Sequence, residues 1–349
     1  MKQLFALGFI LFSLAAVFPA CGTRPLLKIG LALPFTGYDQ ERGYNAIYAV
    51  KEALAEANAR GGVGGYMVEL VAVDDRNDPG EAVRQARELT LYEDMVGVIG
   101  HHSDACTLAA IPEYGRAGMP LVAPWLVSTG REGLTWETAV FPLAAPAEVL
   151  SHQLAEIVPR QRLALLTDDS PDGRALVRAF PAGWPVVFRG ETGRGQRDLV
   201  TLARQVAGAR PDVVFYSGHA TEAALLLLAL REVGVRAPFY GGPDLDDPKF
   251  LRLAGATAEG VIFIGLAQPG PAGAGYRQRT GRDPDDRATG AYNATVLLLA
   301  AIEDAARRDG RPTRAGVARS LGELAGSHQA TSGVIYQVTG GMLKPLSNP

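Results

Sequence analysis

The sequence predicts an α/β protein of two doubly wound parallel-sheet lobes. Three features point there. Short apolar runs alternate with helical patterns from residue 27 to residue 240. The runs are continuous rather than alternating in polarity, which is the pattern of strands covered by helices on both faces. Their number, about ten, would make an unusually wide open sheet. Two lobes also suit a chain of 349 residues.

Residues 27–33 read as the first strand and 43–59 as a helix, closed by the glycine turn Arg60-Gly61-Gly62. Residues 67–73 are the next strand and 80–93 the next helix, with Asp78-Pro79 as cap and first turn. Segments 95–99, 107–117 and 120–123 repeat the unit, and 140–143 is a further strand. The rhythm resumes with 147–158, 163–167, 173–180, 185–188, 199–207, 213–216, 221–233 and 239–240. Proline and glycine interrupt it at 142–146 and 268–275. Long helices at 289–305 and 313–325 then need a sheet to cover, and the first lobe is the candidate. Residues 333–346 hold one strand pair. The expected division is 26–144 plus 270–326 for one lobe and 145–269 plus 327–349 for the other, with the last crossing near 326–333. Several connections of this kind make a hinge rather than a loose linker.

The start of the chain bears on location. Lys2 precedes an apolar run over 4–17, too short to span a bilayer at about 20 residues. Phe18-Pro19-Ala20-Cys21 follows, so residues 1–20 read as a secretory signal. Cys21 stands where a bacterial lipoprotein carries its lipidated first residue; the other reading is a plain signal cut near a cysteine. Net charge is −3, with no basic excess to neutralise phosphates, so nucleic acid is not an expected partner. Cys106 is the only other cysteine, and lipidation of Cys21 would leave it without a disulfide partner.

Lys28-Ile29-Gly30-Leu31-Ala32-Leu33-Pro34-Phe35-Thr36-Gly37 resembles the first strand and ligand loop of the type I periplasmic binding proteins. The helix with Asn45 and Ala46, ending in 57–65, is similar to the family's next element. So are Val73-Asp74-Asp75, Asp78-Pro79, Val98-Ile99-Gly100, and Gly118-Met119-Pro120 leading to Pro124. Residues 212–216, Gly241-Gly242-Pro243-Asp244 and Gly290-Ala291-Tyr292-Asn293-Ala294 fit later parts. The order covers nearly the whole chain, and the branch it most resembles is the leucine/isoleucine/valine-binding proteins of ATP-driven importers. The resemblance implies two α/β lobes joined by a three-crossover hinge, closing over a ligand.

Open parallel sheets bind ligands beyond the carboxyl ends of their strands. Those ends are 35–39, 101–104 and 124–128 in one lobe, and 168–172, 217–221 and 244–246 in the other. In the family's amino-acid binders, a serine before the third helix and a serine or threonine after the fourth strand hold the α-carboxylate, and an acid in the second lobe holds the ammonium. By resemblance the first position falls on Asp104, preceded by Ser103. The second falls on Val127, with Ser128 adjacent and Trp125 two residues before. The acid falls on Asp244. A ligand carboxylate about 4 Å from Asp104 would cost roughly 4 kcal/mol at an effective dielectric of about 20, against about 1.5–3 kcal/mol from a charge-assisted hydrogen bond. Repulsion wins unless Asp104 turns away or stays protonated. Asp104 reads equally as a helix N-cap, and Ser103 and Ser128 could supply carboxylate donors instead. Trp125 reads as packing between lobe edges or as an apolar, cation-binding face. Tyr38, His219 and Gln268 stand at strand ends matched approximately. Asp172 reads as a capping residue.

Enzyme chemistry finds little support. There is no Gly-x-Ser-x-Gly, His-Glu-x-x-His or P-loop, and the glycines of 61–65 follow a helix, the wrong context for a dinucleotide site. His101, His102, Asp104 and Cys106 alternate faces at a strand end and cannot converge on one metal. Cys106 precedes an apolar helix and reads as a small buried thiol. No cofactor is expected. The expected function is an exported solute-binding lipoprotein, monomeric, that passes a small polar ligand (an amino acid or related amine or amide) to an ABC permease. The alternative is a sensory module reporting ligand to a membrane receptor.

Overall fold

The computed structural model describes residues 24–128, 139–266, 274–324 and 332–346. Cys21, Gln268 and most of the expected last crossing near 326–333 lie outside them. The first sheet is built on β1 (Leu26–Leu33), whose residues pair in parallel with β2 (Met67–Asp74) on one side and β3 (Met95–Gly100) on the other. With β4 (Leu121–Ala123) and β5 (Val140–Pro142) the order is β2-β1-β3-β4-β5. The second sheet has the same logic around β6 (Leu163–Asp168), flanked by β7 (Val186–Thr192) and β8 (Val213–Ser217). It continues through β9 (Phe239–Gly241), β10 (Ile262–Gly265), β11 (Val334–Thr339) and β12 (Met342–Pro345), the last two antiparallel. Every residue of β3, β6 and β8 is buried, as continuous apolar runs require; the edge strands β2 and β7 are partly exposed.

In both sheets the chain reverses direction beside its first strand. The β1/β3 and β6/β8 gaps are therefore switch points, where crossing helices leave in opposite directions and open a crevice. Helices α1 (Gln40–Ala59), α2 (Pro79–Thr90) and α3 (Asp104–Arg116) cover the first sheet. In the second unit stand α4 (Ala147–Ile157), α5 (Pro171–Ala179), α6 (Val200–Ala209), α7 (Ala220–Glu232) and α8 (Pro248–Ala254). Farther on, α9 (Ala274–Thr280) packs on α1, α10 (Asp286–Asp309) on α1, β3 and β4, and α11 (Arg314–Leu324) on α10 and β3. These late helices thus cover the first sheet before β11 returns to the second. One apolar cluster joins the two, running from Ile29 and Val50 through Trp125 and Ala291 to Leu165 and Ile264.

Three departures from the sequence reading matter. Helix α1 starts at Gln40 rather than 43, α10 starts at Asp286 rather than 289, and β10 has no counterpart among the expected strands. Asp285 caps α10 through a hydrogen bond from Ala288 N at 2.7 Å, so the acidic stretch before residue 289 is a helix start rather than a loop. Both earlier starts bring an arginine, Arg42 and Arg287, into a helix beside the crevice.

Arg314 ties the late helices to the first sheet. Its guanidinium donates to the carbonyls of Met95 (3.0 Å), Ala117 (3.3 Å), Thr90 (3.0 Å) and Tyr92 (2.7 Å), at the ends of α2 and α3 and the start of β3. Hydrogen bonds from a charged donor contribute about 1.5–3 kcal/mol each but are not additive. Arg314→Ala is expected to lower unfolding stability by about 2–3 kcal/mol, read by urea denaturation; a midpoint equal to that of the parent protein would refute the role.

Candidate functional site

A cavity of about 220 Å³ lies between the two switch points. That is below the roughly 300–1,000 Å³ of sites for drug-sized ligands. Its walls come from the loops after β3 and β4, with Asn77 and Arg287 of α10, on one side and from the loops after β6, β8 and β9, with Arg194 and Leu266, on the other.

On the first side, Ser103 is the N-cap of α3, its Oγ accepting from Cys106 N at 3.4 Å, and Asp104 is the first helical residue. The cap expected of Asp104 is thus made by its neighbour, and the Asp104 carboxylate points elsewhere. It accepts from Val127 N at 3.2 Å and Ser128 N at 2.6 Å. Asp104, Val127 and Trp125 line the cavity. Trp125 is 3% exposed and belongs to the apolar cluster, with its ring 6.1 Å from that of His102. Its Nε1 finds no hydrogen-bond partner among the described residues. The indole fits because residue 290 is glycine: a Cβ there would stand 2.8 Å from Nε1.

On the second side, Ser170 caps α5, accepting from Gly173 N at 3.1 Å. Asp172, expected from the sequence to be a cap, faces the cavity instead, and no hydrogen bond engages its carboxyl among the described residues. Burial, reinforced by the carboxylates of Asp244, Asp104 and Asp168, pushes Asp172 up to about 8. Asp168 is buried and hydrogen-bonded by Ser170 N (3.0 Å), His219 N (2.8 Å) and the imidazole Nδ1 of His219. This close approach requires Gly218, where a Cβ would fall 2.5 Å from the Asp168 carboxyl carbon. Burial opposes charge on His219, yet the hydrogen bond to Asp168 and the nearby Asp244 and Asp172 carboxylates outweigh it and raise the imidazole to about 9. His219 is therefore a cation in the cavity wall at neutral pH.

Asp244, expected to be open to a ligand ammonium, is already paired. Arg42 of α1 donates to its Oδ1 at 2.9 Å and its carbonyl at 3.0 Å, and Arg287 of α10 to Oδ1 at 2.6 Å. Burial disfavours the Asp244 anion, but the two guanidiniums overcome that and hold it well below the usual carboxylate range. Arg42 also donates to Asp247 at 2.7 Å and to Nε2 of His102 at 3.1 Å. Burial, with the charges of Arg287 and Arg42, lowers the His102 pKa and keeps the ring a neutral acceptor. Arg42 and Arg287 sit on helices covering the first sheet and Asp244 follows β9 of the second, so these pairs bridge the cleft.

Tyr38 and Ser128 stand apart from the cavity wall. Tyr38 is 49% exposed at the outer rim; its hydroxyl donates to Thr221 Oγ1 and its carbonyl accepts from Lys249 Nζ, again linking the two sides. Ser128 is buried, its N–H on Asp104 and its Oγ without a partner among the described residues. His101 and His102 do diverge: His101 turns to Asp75 (2.6 Å) and Tyr114 (3.1 Å), away from Arg42. Cys106 is a buried thiol, pushed up to about 12 by burial and the charge of Asp75. Arg42, Arg287 and Asp168 do not stand out in the sequence as individual site residues. The stretch 168–172 is legible as a strand end, but an arginine buried at a helix start carries no sequence signal of its own.

A family profile described as periplasmic binding protein matches residues 27–335. The Leu/Ile/Val-binding protein of Escherichia coli (strain K12) is 26% identical over 246 residues, 68% of this chain and 66% of that protein, so the match spans just under two thirds of its length. An amino acid binding protein of Pseudomonas aeruginosa is 25% identical over 329 residues, 88% of this chain and 87% of that one. Among solved structures, the branched-chain amino acid transporter substrate binding protein LivJ of Streptococcus pneumoniae, in complex with isoleucine, superposes with a TM-score of 0.80 at 19% identity, covering 91% of this chain and 98% of that chain. A fatty acid ABC transporter substrate-binding protein of Thermomonospora curvata superposes with a TM-score of 0.77 at 18% identity, covering 93% and 92%. Proteins with dissimilar named ligands thus share the fold, and the cavity's own chemistry has to decide.

Proposed function

Because this chain belongs to the periplasmic binding protein family, we propose that it is the extracytoplasmic solute-binding component of an ATP-driven importer, taking an amino acid or a related amine or amide. The relatives named for amino acids support the class. The observation that carries the reading is Asp172, a carboxyl facing a small cavity with no hydrogen bond of its own among the described residues. An ammonium or amide N–H placed there gains a charge-assisted or neutral partner and relieves the crowding of Asp104, Asp168 and Asp244. Leu176, Leu266, Val127 and Trp125 supply an apolar side for a short hydrocarbon portion. Ligand contacts to both walls favour the closed arrangement over the open one, and a membrane permease then reads the closed surface. The domain acts as a monomer, tethered through a lipid on Cys21; replacement of Cys21 by serine should release it from membranes in a fractionation assay.

The test of ligand class is a thermal-shift screen with amino acids, amides, polyamines, sugars and aromatic acids. A ligand at about 100 times its dissociation constant stabilises by about 2.7 kcal/mol. Amine- or amide-bearing compounds should shift the melt, and Asp172→Asn should weaken them at least about tenfold, the loss of one charge-assisted hydrogen bond. A response confined to sugars or aromatic acids would sink the proposal.

A further inference from the structure

We infer that Asp104 is a specificity-determining residue: its carboxylate is a tethered occupant of the anion site formed by Val127 N–H and Ser128 N–H, and it excludes free carboxylates from that corner of the cleft. Two consecutive backbone N–H groups just beyond a parallel strand, at the crevice of a doubly wound sheet, are what a ligand anion ordinarily finds there. Here both are taken, at 3.2 and 2.6 Å, by one buried carboxylate. Asp104 is not the helix cap, which Ser103 provides, so capping does not account for its placement. At that corner an incoming carboxylate meets the Asp104 charge and finds the Val127 and Ser128 N–H pair occupied. The acid across the cavity, Asp244, is matched by Arg42 and Arg287. A zwitterionic α-amino acid therefore finds its carboxylate corner occupied, whereas an amine or amide of the same skeleton still has Asp172. This narrows the ligand class proposed above and rests on that reading.

The experiment has two arms, both on the full chain. The first compares ligand pairs differing only in the carboxylate, leucinamide against leucine and glycinamide against glycine, by calorimetry on the parent protein and on D104S. The parent should prefer the amide member by about 100-fold or more, as repulsion between two carboxylates at close range implies, and D104S should lose that preference. The second arm needs no knowledge of the natural ligand. In D104A the two N–H groups lose their acceptor, and free acetate should raise the melting temperature of D104A but not of the parent. If D104A fails to fold, the near-isosteric D104N carries the selectivity comparison and should narrow the amide preference. Leucine binding to the parent as tightly as leucinamide, or acetate acting equally on parent and D104A, overturns the inference. Acetate rescue with no amine or amide binding would keep the role of Asp104 and remove the proposed ligand class instead.

Discussion

Arg42→Ala should open the ligand-free protein. The Arg42 guanidinium is buried and spans the cleft to both Asp244 and Asp247. Removing one partner of a buried ion pair typically costs about 3–5 kcal/mol, because the remaining charge is left desolvated. That penalty falls on the closed arrangement alone, since separation of the walls returns the aspartates to water. A shift of about 3 kcal/mol changes an open-to-closed ratio by roughly two orders of magnitude. Small-angle scattering of the variant without ligand should show a larger radius of gyration, and ligand affinity should fall by a comparable factor. Other bridges also link the walls, Arg194 to Asp39 at 2.9 Å and Lys249 to the Tyr38 carbonyl. Those lie nearer solvent, so Arg194→Ala should have a much smaller effect. Scattering profiles that coincide for the parent and Arg42→Ala would show that the ion pairs do not hold the walls together.

The second large effect is on pH. His219 is raised from 6.5 to about 9. A base held protonated in the folded state contributes stability that is complete below its unfolded value and lost as pH rises through its folded value. Asp172, raised from 3.8 to about 8, follows the same rule: its neutral form is favoured in the fold, so its contribution is present at low pH and lost as pH rises toward 8. The two losses add rather than oppose between pH 6.5 and 8, and His219 continues to about 9. Retention of one proton across the His219 window alone amounts to about 3 kcal/mol. Melting temperature without ligand should fall from about pH 4, most steeply between about pH 6.5 and 8 where both groups contribute, and on to about pH 9. His219→Gln should flatten the alkaline part, and Asp172→Asn the part below about pH 8. A melt unchanged over that range, or the same decline in both variants, would refute the assignment.

Much of the fold was legible because it is governed by local patterns. Continuous apolar runs such as 163–167 and 213–216 read as buried strands, and glycine and proline marked where helices stop. Those patterns, with the order of the family-like segments, determined two α/β lobes and a cleft at the strand ends. They also brought Ser103, Asp104, Trp125, Val127, His219 and Asp244 into consideration. The role of each charge in the cleft was not legible. Whether Asp104 caps a helix or grips the loop after β4 depends on which of two neighbouring residues faces the helix start, a difference of one peptide unit. Whether Asp244 is open to a ligand depends on Arg42 and Arg287, which lie 202 and 43 residues away in the chain. Strand and helix identity follow from side chains a few residues apart, so sequence sufficed for them. Ion pairing follows from distance through space, and only the folding of α1 and α10 beside the same crevice decided it.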